Sequence, residues 1–183
     1  MDAINSLFLL DDSALVRKCQ RGDRLAFETL IERHYVLVFS CTYRRVGNRA
    51  DAEDIAQDVV IKLARTLQTL REPAALRGFL LRLSVNAVTD HFRKKASEGR
   101  GLTSYFADPT TQEPPLSEDH NSALWVAVRK LPDKQRDAVL LVYGDGASHR
   151  EAAEALGCAE ATISFHVHEA RKRLKEMLKE DAQ

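Results

Sequence analysis

The sequence predicts an all-α fold of two small helical domains joined by an irregular linker, and three observations carry that prediction. Apolar residues recur at three- and four-residue steps through most of the chain, the spacing of one buried stripe on a helix. Between residues 96 and 121 that pattern stops in favour of Gly, Ser, Thr and three prolines with an excess of acid. Near the C-terminus a short alanine-rich stretch, a glycine and a longer amphipathic stretch follow in the order of a helix-turn-helix. The boundaries expected are a first domain over 1–96, an acidic linker over 97–121 and a second domain over 122–183.

In chain order, Asp12 or Ser13 is placed to cap a helix carrying Leu15, Val16 and Cys19, and Gly22-Asp23 stops it and starts the next. That next helix holds Ala26, Phe27, Leu30, Ile31, His34, Leu37, Val38 and Cys41 on one stripe until Gly47-Asn48 breaks it. His34 has no second ligand type one turn away, so it is expected to be a satisfied core or boundary histidine and not a metal ligand.

Residues 48–67 form the most informative stretch. Ala52, Ile55, Ala56, Val59, Leu63 and Leu67 make the buried stripe, Asn48 caps it, and Asp51, Glu53 and Asp54 sit where the helix dipole favours carboxylates. Stability does not need the opposite strip of Asp54, Gln57, Asp58 and Ile61, about one turn apart, which suits a basic protein partner. A solvated face with ordinary capping acids is the plainer account. After the break at Pro73 a helix restarts with Leu76, Phe79, Leu80, Leu83 and Ala87 inward. Its polar row of Arg82, Asn86, Thr89 and Arg93 ends in Arg93-Lys94-Lys95, and Arg77 stands on the same helix; cations neutralise phosphates and amides or hydroxyls bond bases or phosphates. Basic residues completing the dipole are the alternative.

In the linker, Tyr105 and Phe106 are the bulky anchors. Beyond it come Ala123, Leu124, Val126, Ala127 and Val128 at helical spacing, with Trp125 anchoring a small core. A helix from Leu131-Pro132 points Ala138, Leu141 and Val142 inward and ends at Gly144-Asp145-Gly146. Ser148 and Glu151 form a capping box for a helix through Leu156, Gly157 supplies the turn, and 162–178 is the second helix, burying Ile163, Val167, Ala170, Leu174 and Met177. Such a helix presents Glu160, Ala161, Thr162, Ser164, Phe165, His166 and His168 to bases, with Arg171, Lys172 and Arg173 on phosphates.

The bulk numbers exclude several classes. Lys plus Arg equals Asp plus Glu at 27 each in 183 residues, so no global field draws the chain to nucleic acid and any DNA contact must be local. Cys19, Cys41 and Cys158 are odd in number without close pairing, which argues against disulfides or zinc and for core fillers in a reducing cytoplasm. Residues 7–10 are apolar but lack a basic flank, and no run approaches the roughly twenty residues of a membrane span; a soluble cytoplasmic protein is expected. No phosphate loop, nucleophile elbow, HExxH or paired-carboxylate signature appears, so neither an enzyme nor a cofactor is expected. His166, His168 and Cys158 make a poor zinc set.

The run DAEDIAQDV, the helix ending in FRKK and the C-terminal helix-turn-helix, in that order and spacing, resemble the extracytoplasmic-function group of sigma-70 family sigma factors, the promoter-reading subunits of bacterial RNA polymerase. The resemblance covers nearly the whole chain. It implies docking of Asp51, Asp54, Gln57, Asp58 and Ile61 on the clamp of the polymerase largest subunit. It implies capture of a flipped base of the minus-ten element by the loop 68–75 and the following helix, through Arg77, Arg82, Asn86, Thr89, Arg93 and Lys94. It implies reading of the minus-thirty-five element by Thr162, Ser164, Phe165, His166, His168, Arg171 and Arg173. A linker threading the polymerase channels and an anti-sigma partner, which could hold the protein at a membrane, are also implied.

Departures from the family pattern are Val60, Ala64, Leu81 and Phe79 where larger aromatics are common, Ser164, His166 and Glu169 where bases are common, and Ala159 where a Ser or Thr cap is common. They predict weaker or sequence-restricted unaided strand opening, and either an unusual minus-thirty-five element or weaker intrinsic DNA affinity. A free-standing helix-turn-helix regulator, working without polymerase, is the alternative.

Overall fold

The computed structural model describes residues 6–97 and 123–180, and every element among them is a helix. The linker and its anchors Tyr105 and Phe106 lie outside the described residues. The first group comprises α1 (Asp12–Gln20), α2 (Arg24–Val46), α3 (Arg49–Thr66), 3₁₀ turns at Leu67–Thr69 and Pro73–Ala75, and α4 (Leu76–Ser97). The second comprises α5 (Ala123–Arg129), α6 (Asp133–Val139), which widens into a π turn over Leu140–Gly144, α7 (His149–Leu156) and α8 (Glu160–Glu180).

Local chemistry sets the ends. Asp11, one or two residues before the expected caps, accepts from the Ala14 amide at 2.6 Å and starts α1. Asp23 accepts from Ala26 N at 3.1 Å to start α2, and Gly47, at φ 71°, ends it in the left-handed conformation that glycine adopts without a Cβ penalty. Asn48 then accepts from Asp51 N at 3.0 Å to start α3. The capping box of α7 is complete: Glu151 N donates to Ser148 Oγ at 3.2 Å and Ser148 N to Glu151 Oε2 at 2.8 Å. The recognition helix begins two residues before the expected 162, at Glu160, and runs to Glu180.

Leu15, Val16, Leu30, Val38, Ile55, Val59, Leu63, Leu76 and Leu80 fill the core of the first group. Val128, Leu131, Leu140, Ala170 and Leu174, with Trp125 packed against them, fill that of the second. A third cluster was not expected. Cys41, Leu81 and Val85 of the first group pack with Ala138, Leu141, Ala152, Ile163 and Val167 of the second, so α7 lies across α4 and the two groups share a buried seam. The linker was expected only to separate two domains; the structure closes them on each other. Full burial of one leucine such as Leu81 contributes about 1.5–3 kcal/mol to that seam.

Candidate polymerase- and nucleic-acid-binding surfaces

The acidic strip on α3 is open to solvent. Ala52, Ile55, Ala56, Val59 and Leu63 are consumed by the core, which turns Asp54, Gln57, Asp58 and Ile61 outward, Ile61 being 48% exposed. Asp51 differs from the other four. It is half-buried, its carboxylate accepts from Lys95 Nζ at 2.7 Å, and His91 Nε2 stands 3.6 Å away, so it ties α3 to α4. Burial pushes the His91 pKa below its ordinary value against the pull of Asp51. Between the helices runs a groove of about 400 Å³ lined by Asp54, Asp58 and Lys62 of α3 and Asp90, Lys94 and Lys95 of α4, with Lys62 Nζ donating to Asp90 Oδ2 at 3.0 Å.

The loop before α4 is held rather than loose. Gln20 Nε2 donates to the Leu67 and Leu70 carbonyls at 3.1 and 2.9 Å, and Gln68 Nε2 returns a bond to Gln20 O at 3.0 Å. On α4, Arg82, Asn86 and Arg93 are exposed along the expected row, and Lys94, also exposed, stands about a quarter-turn away, lining the groove against α3. Arg82 lies over the Phe79 ring, 5.1 Å from its centroid. Thr89 is half-buried and spends its hydroxyl on the Val85 carbonyl at 2.9 Å. Arg77 is engaged by the second group: it donates to the Asp145 carbonyl, and its Nε is 3.7 Å from Glu151 Oε1. The structure thus sets Arg77 apart from the free row.

In the helix-turn-helix, Gly157 at φ 65° makes the turn and Ala152, Ala153 and Ala155 pack on Ile163 and Val167. This leaves Ser164, Phe165, His168, Arg171 and Arg173 exposed, with Phe165 60% exposed at the tip; Thr162 and His166 are half-buried. Ser164 Oγ is bound to His149 Nδ1 at 2.9 Å and donates to Glu160 O at 3.2 Å, fixing one α7–α8 register. No group of three or more His, Cys, Asp or Glu side chains that could hold a metal occurs among the described residues. His34 Nε2 instead meets Asp12 Oδ2 at 2.8 Å. No described helix is long and apolar enough to cross a membrane.

Sequence reasoning missed one charged centre. Asp145, with a fully buried carboxylate, accepts from Arg44 Nη1 at 2.6 Å and from Arg45 Nη1 at 3.0 Å; Arg45 is itself buried and also donates to Cys41 O at 2.8 Å. Asp137 Oδ1 lies 3.7 Å from Arg45 Nε, and burial raises its pKa although Arg45 opposes the rise. Two glycines permit the approach. A Cβ on Gly144 would stand 3.2 Å from Arg44 Cδ, and Gly146 has φ 64° with Arg77 against it. The Gly-Asp-Gly signal was visible as a turn, but nothing local marked its acid as a partner of residues one hundred positions away.

Comparison with known proteins fits both halves. Residues 30–98 match the family model Sigma-70 region 2, and residues 122–174 match Sigma-70, region 4. The ECF RNA polymerase sigma factor SigM of Mycobacterium tuberculosis is 32% identical over 170 residues, covering 91% of this chain and 84% of that protein. The chain belongs to the ECF sigma factors of the sigma-70 family. This sigma factor is also 27% identical to the ECF RNA polymerase sigma factor SigW of Bacillus subtilis over 178 residues, covering 90% of its own chain and 95% of the relative. Its fold is similar to that of the sigma factor RpoE of Bartonella quintana, solved with the anti-sigma factor NepR, with a TM-score of 0.70 and 25% identity over 84% of this chain and 96% of that one.

Proposed function

We propose that the chain acts as an alternative sigma factor that binds core RNA polymerase and directs initiation by reading minus-ten and minus-thirty-five elements. Family membership supports the class, and the observation that carries the assignment of surfaces is the outward ridge Asp54, Gln57, Asp58 and Ile61, which the fold itself leaves unused. Asp51 joins that ridge only at its edge, because Lys95 already holds it. The minus-ten reader is the α4 row Arg82, Asn86, Thr89 and Arg93, with Lys94 beside it and Arg77 available once the second group moves away. The minus-thirty-five reader is the exposed side of α8, with Ser164, Phe165, His168, Arg171 and Arg173 foremost and Thr162 and His166 behind them.

The protein works by binding, with no chemistry and no cofactor of its own, and acts in the cytoplasm. A net charge of zero means the polymerase must supply most of the hold on DNA. An anti-sigma factor is the regulatory partner to expect, as NepR is for RpoE. A free-standing regulator would need neither the ridge nor the α4 row. Run-off transcription with core polymerase over fragmented genomic promoters tests the proposal: initiation at discrete promoters, absent from core alone, is the expected result. No initiation together with no retention by core would reject it.

A further inference from the structure

A serine hydroxyl facing DNA is ordinarily ambiguous, because it can give a proton to a base or take one from it. Ser164, on the exposed face of α8, has lost that freedom. Its Oγ is 3.2 Å from Glu160 O and 2.9 Å from His149 Nδ1. A carbonyl only accepts and a hydroxyl owns one proton, so that proton goes to Glu160 O, the i−4 bond of a helical serine. Nδ1–H of His149 then donates into the oxygen, the arrangement in which both contacts are hydrogen bonds. Nδ1 carries a proton in the imidazolium and in one neutral tautomer, so the bond does not depend on the charge of the ring.

The i−4 bond alone leaves a serine free to change rotamer and swing its proton to a base. Donation by His149 from the neighbouring helix pins the oxygen where it stands, and what remains for DNA is one lone pair. In the major groove guanine shows N7 and O6 and thymine shows O4, all acceptors, whereas adenine N6 and cytosine N4 are donors. Glu160, exposed one turn earlier on the same face, adds a second group that only accepts.

We propose that His149 determines specificity in the minus-thirty-five reader: by donating to Ser164 it makes that hydroxyl a pure acceptor, which selects adenine or cytosine over guanine or thymine at one position of one strand. This rests on the reading of α8 as the minus-thirty-five reader. His149 is a positioning residue, acting through Ser164. A cation at 164 would donate to guanine, so the serine changes which base is read as well as how tightly. Residues 149 and 164 are fifteen apart and meet because the turn at Gly157 folds α7 onto α8.

The test reconstitutes holoenzyme from core polymerase and the full chain, lets it transcribe a duplex library randomised over the promoter region, and sequences the templates used. Ser164→Ala identifies the position read, as the column of the upstream motif whose preference disappears. In wild type that column should hold adenine or cytosine on one strand about fivefold more often than guanine or thymine, the discrimination of one hydrogen bond. His149→Phe keeps a ring and loses the bond, and should bring guanine and thymine to parity there with the other columns unchanged. His149→Asn loses the ring and keeps an N–H at the same distance from Cβ, and should restore the split; a packing role predicts the reverse for these two variants. Initiation at discrete promoters in which no column depends on Ser164, or its column lacks the split, or His149→Phe leaves the split intact, overturns this inference and spares the sigma-factor reading. No initiation by wild type overturns both.

Discussion

Replacing Asp145 by alanine should cost the closed structure about 3–5 kcal/mol, because it strands a buried cation. The carboxylate is fully buried and takes both Arg44 and Arg45, whose own side chains are 21% and 2% exposed. Arg44 can turn to water, whereas Arg45 keeps Cys41 O at 2.8 Å, Cys41 Sγ at 3.1 Å and Asp137 at 3.7 Å, none of which replaces the lost carboxylate at hydrogen-bond distance. A protein of this size has roughly 5–15 kcal/mol of stability, so the loss is a large share. It has a cheaper outlet than unfolding, since separating the two groups lets solvent reach Arg45. The expected result for Asp145→Ala is therefore an expanded particle by small-angle X-ray scattering, together with a lower unfolding midpoint. Arg45→Met/Asp145→Leu removes both charges and fills the space with apolar atoms, and should recover most of the stability and the compaction. Equal loss in the single and double variants, or an Asp145→Ala protein as compact and stable as wild type, would refute the view that a buried ion pair fastens the domains.

Other predictions follow from the helix ends and the half-buried His91. Ala159 precedes α8 without a side-chain acceptor, so Ala159→Ser should add about 1 kcal/mol and raise the melting temperature by roughly 2–4 °C, measured by circular dichroism. Ser148→Ala should cost about 1 kcal/mol by removing the capping box of α7, with the loss seen first in hydrogen exchange of α7 amides. His91 is held below its ordinary pKa of 6.5, chiefly by burial, so the folded state binds fewer protons than the unfolded one. Its contribution is present above pH 6.5 and is lost as pH falls from there through the lowered value. The fall in melting temperature between pH 7 and 5 should be smaller in His91→Gln than in wild type.

Much of this architecture was legible because helices announce themselves locally. The stripe Ala52, Ile55, Ala56, Val59 and Leu63 placed α3 and, by exclusion, its outward acids; the capping box of Ser148 and Glu151 placed α7. Closure of the two domains was not legible, because its partners Arg45 and Asp145 are far apart in the chain and each looks like a surface residue beside its own helix or turn. One local sign existed. Along α4, Leu76, Phe79, Leu80, Leu81, Val85, Ala87 and Val88 are apolar on more than one face, and a helix apolar on two faces needs two neighbours. Leu76 and Leu80 satisfy the first domain, while Leu81 and Val85 satisfy the second. The contact of Arg77 with the Asp145 carbonyl was not legible for the same reason, since its partner lies 68 residues on in the second domain.

The account turns on the α3 ridge, and the affinity of purified core polymerase for the chain tests it most directly. Asp54→Ala and Gln57→Ala alter exposed side chains, so melting temperatures should stay within about a degree of wild type. If the ridge docks on polymerase, each should weaken binding about tenfold, the scale of an interface hot spot, and the pair should weaken it further. Unchanged affinity of both single variants and of the pair would contradict the account.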